Sequence, residues 1–136
     1  MNDNININAQ YSSDLTEKII KCATEVHKFL GNGFQEAVYR QALAIEFELR
    51  NVLFEREFEM PLYYKGEQIG TRQVDFFVDD KIMVEIKAIS QLEEVHVAQA
   101  INFLEAYNKD MGLLINFGSK NLDFKSITNK KYQSQL

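Results

Sequence analysis

The chain has 136 residues, 46% apolar and 26% charged, which suits one folded domain and excludes an intrinsically disordered chain. A single cysteine, Cys22, excludes an internal disulfide and a cysteine-rich zinc site. No run approaches the roughly 18 apolar residues of a membrane span, and the start, MNDNININAQ, lacks the pattern of a signal peptide, so the cytosol (a cytoplasmic location) is expected. With 15 basic against 20 acidic residues the net charge is −5, which argues against binding nucleic acid by broad electrostatic attraction and asks any such partner for a local basic face or bound cations.

Residues 1–12 are polar and aperiodic and read as a tail. From Leu15 the apolar residues Leu15, Ile19, Cys22, Val26 and Phe29 recur every three or four positions, the stripe of a helix capped by Ser12 or Ser13 and ended by Gly31. Cys22 sits in that stripe as a small buried hydrophobe. A second helix runs from about Gln35 to Arg50, with Val38, Ala42, Ile45 and Leu49 on one face and Tyr39, Leu43 and Phe47 widening it.

The period then changes to two. Val52–Tyr64 alternates as a strand whose Pro61 marks an edge or an irregularity. After a turn at Lys65–Glu67 a second strand spans Gln68 to Val78, and Ile82–Lys87 makes a third. Ser90, with Glu93 three residues on, has capping-box spacing for a helix reaching Tyr107. Met111–Phe117 is a nearly unbroken apolar run, as in a strand covered on both faces, and Leu122–Thr128 reads as a last strand. The result is an α/β fold of one domain, residues 13–128, with a central mixed β-sheet flanked by helices and a polar, basic tail at 129–136.

The chemistry concentrates in Val74–Lys87, VDFFVDDKIMVEIK. A three-residue connection, Asp79–Lys81, lets Val78 meet Ile82, Phe76 meet Val84 and Val74 meet Ile86 on one face. A slip of one residue would set apolar side chains against charged ones. This register puts Asp75 across from Glu85 on the other face, where paired Cβ atoms lie roughly 4.5–5.5 Å apart. Two carboxylates so close repel unless a proton or cation lies between them, and hard oxygen anions suit Mg²⁺. Lys87 follows on the same face, about 7 Å along the strand, where its ammonium can orient a water or neutralise charge on a phosphate.

The pattern Asp75…Glu85-Ile86-Lys87 resembles that of the PD-(D/E)XK nuclease superfamily, with Val74 in place of the proline. Gly33-Phe-Gln-Glu36-Ala-Val-Tyr39 is similar to the G-x-x-E-x-x-Y signature of one group within it. Phe29–Gly33, Val95–Gln99 and Gly112–Phe117 resemble that group's flanking segments. The resemblance implies a restriction-endonuclease-like fold and hydrolysis of phosphodiester bonds, with DNA the expected substrate ahead of RNA and Mg²⁺ or Mn²⁺ as cofactor. It also implies roles. Asp75 and Glu85 would hold the metal with the Ile86 carbonyl, Glu36 would join through water, Lys87 would be the catalytic lysine, and Gln99 would position the lysine or the phosphate.

Other readings stand beside this one. Glu85 and Lys87 suit an ordinary solvated strand face, and the whole domain suits a catalytically inactive binding or adaptor module or a subunit of a larger assembly. A homo-oligomer is equally compatible with the sequence. His96, one turn before Gln99, is a secondary candidate, as is Tyr39, whose first reading is packing. His27 is expected on the surface of the first helix. Lys120 and Lys125, with Lys130 and Lys131, stand against one acid, Asp123, and form the only local basic bias, weak candidates for a nucleic-acid contact.

Overall fold

Apolar residues on both faces of the central strands require two covering layers, and the chain supplies them from its helices. The computed structural model describes residues 7–134. In chain order the elements are α1 (Ile7–Leu30), α2 (Glu36–Leu49), β1 (Phe54–Tyr64), β2 (Glu67–Val78), β3 (Ile82–Lys87), α3 (Glu94–Ala106), β4 (Met111–Asn116) and β5 (Asp123–Thr128). The strands form one mixed sheet in the order β1-β2-β3-β4-β5, antiparallel except for the parallel pair β3 and β4. That pair needs a crossover, which α3 provides.

One core lies between the sheet and α1 with α2. Ile19, Cys22, Ala23, Tyr39, Leu43 and Phe47 pack there on Phe76, Val78, Val84, Ile86, Leu113, Ile115 and Phe117. The other lies under α3, where Ala100, Phe103 and Leu104 meet Val74, Phe77, Met83 and Leu114. The alternation along β3 and β4 thus fills both cores, and β4 is buried on both faces. Among the described residues no helix is long and apolar enough to cross a membrane.

Several boundaries differ from the sequence reading. Helix α1 begins at Ile7, so Ser12 and Ser13 lie inside it and neither occupies its N-cap; residues 1–6 of the expected tail lie outside the described residues. Gly31 ends the helix as expected, at φ 75° with its N–H bonded to the His27 carbonyl at 2.8 Å. Phe29, expected in the buried stripe, is 87% exposed, and Leu15 is only partly buried. The faces of α2 are exchanged: Tyr39, Leu43 and Phe47 are its core, while Val38, Ile45 and Leu49 are exposed. Both stripes are apolar, so spacing alone could not choose between them, and contact with the sheet decided.

The turn between β1 and β2 is the two residues Lys65 and Gly66, both at positive φ, so Glu67 belongs to β2. Val52, the expected start of β1, is a buried loop residue. Strand β1 is an edge strand, and its register shifts between Leu62 and Tyr63, next to Pro61. Helix α3 begins three residues later than its Ser90 signal implied. Glu93 is the N-cap, and a capping box links it to His96, whose Nδ1 accepts the Glu93 N–H at 3.0 Å.

Candidate active site

The loop from β2 to β3 is Asp79–Lys81, three residues, with Asp79 and Asp80 at positive φ and the Lys81 N–H bonded to the Val78 carbonyl at 2.9 Å. Aspartate tolerates the left-handed region better than most residues, so this loop closes without glycine. It fixes Val78 opposite Ile82, Phe77 opposite Met83 and Phe76 opposite Val84, the expected register.

There the ladder stops. Val74 does not pair with Ile86, and Asp75 does not stand opposite Glu85 as a ladder pair. Instead the Asp75 carboxylate accepts the backbone N–H of Ile86 at 2.7 Å. The acid takes the bond that a β2 carbonyl would otherwise have filled, and β2 parts from β3 at this point. Val74 accordingly joins the core under α3, although it shares parity with Phe76 and Val78 in the opposite core. Strict alternation holds only while a strand stays in its sheet.

Two helices complete the fork. On the α2 side, Arg40 lies 3.5 Å from Asp75 and 3.7 Å from Glu36, one turn before it, so the guanidinium ties the helical acid to the strand acid. On the α3 side, Arg72 reaches back from β2 to Glu85 at 3.2 Å, its guanidinium 5.3 Å from the centre of the Phe103 ring. Glu85 is buried, whereas Lys87 is partly buried. Arg40 and Arg72 are the residues that sequence reasoning passed over. Arg40 carried a signal in its four-residue spacing from Glu36, while Arg72 carried none, because its strand parity matched core positions.

Burial raises the Asp75 carboxyl above its ordinary value, with the Ile86 N–H and Arg40 pulling it down, Glu36 pushing it up and Lys87 lowering it. Glu85 is raised chiefly by burial as well; Arg72 opposes the shift, Asp75 adds to it and Lys87 lowers it. Asp75 therefore lies within electrostatic reach of Glu36, Glu85 and Lys87.

The remaining expected residues are spread more widely. Gln99 is an exposed residue of α3, one turn before Phe103 and thus on the side of Arg72. His96 is engaged in the capping box. Tyr39 is fully buried, stacked on Phe117 at 4.7 Å, its hydroxyl donating to the Gly31 carbonyl at 2.6 Å and accepting the Phe34 N–H at 3.2 Å. His27, expected on the surface, is half-buried; its Nε2 lies 3.1 Å from the Ser119 carbonyl and its ring near Phe117. Lys120 is exposed in the loop leaving the same end of the sheet as Lys87, and Lys125 is exposed on β5.

Behind Lys87 the backbone is bolted to β4. The Phe117 N–H donates to the Lys87 carbonyl at 2.9 Å. Buried Asn116 accepts the N–H groups of Ile89 and Gly118 at 3.0 and 3.1 Å and donates to the Ile89 carbonyl at 2.9 Å.

Among the described residues no group of three His, Cys, Asp or Glu side chains is arranged to hold a metal ion. The donor set still fits Mg²⁺, which commonly takes one or two carboxylates and fills its other positions with water and phosphate oxygens. Asp75 and Glu85 are such a pair, each now neutralised by an arginine.

A family model of the PD-(D/E)XK nuclease superfamily matches residues 13–127. The chain belongs to the PD-(D/E)XK nuclease superfamily. In this nuclease-superfamily domain Asp75 lies at the fork on β2, and Glu85 and Lys87 lie on β3 beside it. Among solved structures, the crystal structure of SSO0001 is similar, with a TM-score of 0.53 and 17% identity, covering 68% of this chain and 49% of that one. That likeness supports the fold alone, and this chain spans about half the length of that protein. No curated protein matches the chain.

Proposed function

We propose that the protein is a metal-dependent nuclease of the G-x-x-E-x-x-Y group, hydrolysing phosphodiester bonds in DNA ahead of RNA, in the cytoplasm. The observation that carries this reading is the fork itself. Membership in the superfamily meets, beside the fork, buried Glu85, half-buried Asp75 held by the Ile86 N–H, and Lys87 at the end of the same strand as Glu85.

Asp75 and Glu85, with the Ile86 carbonyl, would hold Mg²⁺ or Mn²⁺, and Glu36 would join them through water. When bound, such a cation lowers the pKa of water and offsets negative charge on the phosphate. Asp75 is kept in place by the Ile86 N–H, and Glu85 by its position on a strand paired with β4. Lys87, on a backbone fixed to Phe117, would present its ammonium to the attacking water or to the phosphate. Gln99 would position the lysine or the phosphate from α3. Lys120, at the same end of the sheet, and Lys125 are the supplementary backbone contacts.

The test is cleavage of plasmid, single-stranded and branched DNA, and of RNA, with Mg²⁺ or Mn²⁺. Asp75→Ala and Lys87→Ala are expected to lower the rate by roughly 10²-fold or more. Equal rates from the wild type and both variants would overturn the assignment.

A specific observation favours a second reading, an inactive nucleic-acid-binding or adaptor module, alone or within a larger assembly. Each strand acid already has an arginine partner, so the site is neutralised without a cation. Titration calorimetry separates the two, because the inert module would show no Mg²⁺ binding that depends on Asp75 and Glu85.

A further inference from the structure

Arg72 stands on the part of β2 that has left β3, three residues before Asp75. Its side chain nevertheless returns to the fork and donates to Glu85 Oε1 at 3.2 Å. The β1–β2 hairpin to which it belongs, in which Met60 pairs with Arg72, is held against α3. Phe103 lies under the guanidinium, the Tyr107 hydroxyl donates to the Pro61 carbonyl, and Met60 packs on the same core.

A divalent ion that uses Glu85 meets Arg72 as a rival. Both seek the same carboxylate, and their like charges repel, so the guanidinium must give way at least in part. The two arginines of the site differ in what is then left to them. Arg40 keeps a carboxylate partner in Glu36 when Asp75 is engaged, whereas among the described residues Glu85 is the only carboxylate paired with Arg72. A partly exposed arginine, stacked on a ring and released from its acid, presents its planar fork of donors beside the cation. That geometry suits a phosphate oxygen pair, which an arginine binds in two parallel hydrogen bonds.

We propose that Arg72 is a phosphate-binding residue parked on Glu85 in the metal-free protein and released toward the nucleic-acid backbone when a divalent cation takes that acid. The inference rests on the proposed nuclease site and adds to it a residue outside the Asp-Glu-Lys pattern. Arg72 thus weakens cation binding by competition and strengthens nucleic-acid binding by direct contact. These effects have opposite signs, and a merely structural arginine would not give both.

The experiment uses the full chain and two binding measurements. Mg²⁺ is titrated calorimetrically into the wild type, Arg72→Ala and Arg72→Gln, the last keeping part of the stem over Phe103. A fluorescent 20-nucleotide single strand and its duplex are then titrated in saturating Ca²⁺ over a range of salt concentrations. Both variants are expected to bind Mg²⁺ several-fold more tightly. They are expected to bind the better nucleic-acid probe about tenfold more weakly, with a salt slope reduced by about one contact. Arg72→Lys is expected to restore the salt slope but less than the full affinity.

Weaker Mg²⁺ binding in the variants, or unchanged nucleic-acid affinity and salt slope, would overturn the role of Arg72 while leaving the nuclease site standing. A wild type that takes up no Mg²⁺ through Asp75 and Glu85 would overturn both.

Discussion

The carboxylate of Asp75 accepts the backbone N–H of Ile86 at 2.7 Å, so a side chain closes the hydrogen bond with which β2 and β3 part company. This one bond has both a structural and a chemical consequence. It ends the ladder without leaving a strand N–H unpaired, and it holds an acid at the mouth of the fork.

Replacing Asp75 should therefore depend on what replaces it. Asp75→Ala leaves the Ile86 N–H without its acceptor and is expected to cost roughly 1–3 kcal/mol. Asp75→Asn keeps an acceptor oxygen and removes a charge that burial disfavours. For that reason the wild type, whose Asp75 is raised in the folded state, is favoured at low pH and loses that advantage as pH rises through the folded value. Asp75→Asn should be the more stable protein at pH 7 without divalent metal, and the difference should vanish below the ordinary carboxylate range. Urea denaturation across pH reads both variants, and a pH-independent difference would contradict the account.

Divalent metal should reverse that order. A cation that binds only the folded state stabilises it by about 2.7 kcal/mol at a hundredfold excess over its dissociation constant. Mg²⁺ is expected to raise the thermal midpoint of the wild type and to leave Asp75→Asn and Glu85→Gln unmoved. An equal rise in all three proteins would assign the effect to sites elsewhere.

The backing of Lys87 offers a test remote from the acids. Asn116→Ala removes the bonds to Ile89 and Gly118 from a buried position and should cost about 2–4 kcal/mol. Gly118→Ala would place a Cβ 2.4 Å from both the N and the O of Ile89, atoms of backbone that cannot swing aside. It is expected to destabilise by roughly 1–3 kcal/mol and to displace the segment that follows Lys87. Thermal denaturation measures the first effect, and a wild-type midpoint for Gly118→Ala would show that the Ala88–Ile89 backbone yields.

Tyr39→Phe separates packing from chemistry. The variant keeps the stack on Phe117 and loses the hydroxyl bonds to Gly31 and Phe34. A loss of about 0.5–1.5 kcal/mol in stability is expected, with cleavage rate per folded molecule unchanged. A large fall in that rate with stability intact would give the hydroxyl a catalytic part.

Much of this molecule follows from its residue pattern. The alternation in Phe76–Val78 and Ile82–Val84 determined the hairpin register, because any slip would bury charge, and the nearly unbroken apolar run at Met111–Phe117 determined a strand covered on both faces. Gly31 at positive φ is an equally local matter, whereas the turn expected over Lys65–Glu67 closes in two residues because Glu67 pairs with Tyr64. Helix facing was decided elsewhere, since α2 carries two apolar stripes and only packing on the sheet selects Tyr39, Leu43 and Phe47 over Val38, Ile45 and Leu49. Likewise type and spacing singled out Asp75, Glu85 and Lys87, and the family resemblance added Glu36, but the two arginines entered only with tertiary structure. Periodicity describes a strand inside its sheet. Once β2 leaves β3 at Asp75, the direction of Arg72 is set by Glu85 and Phe103, partners that are distant in the chain and unreadable from it.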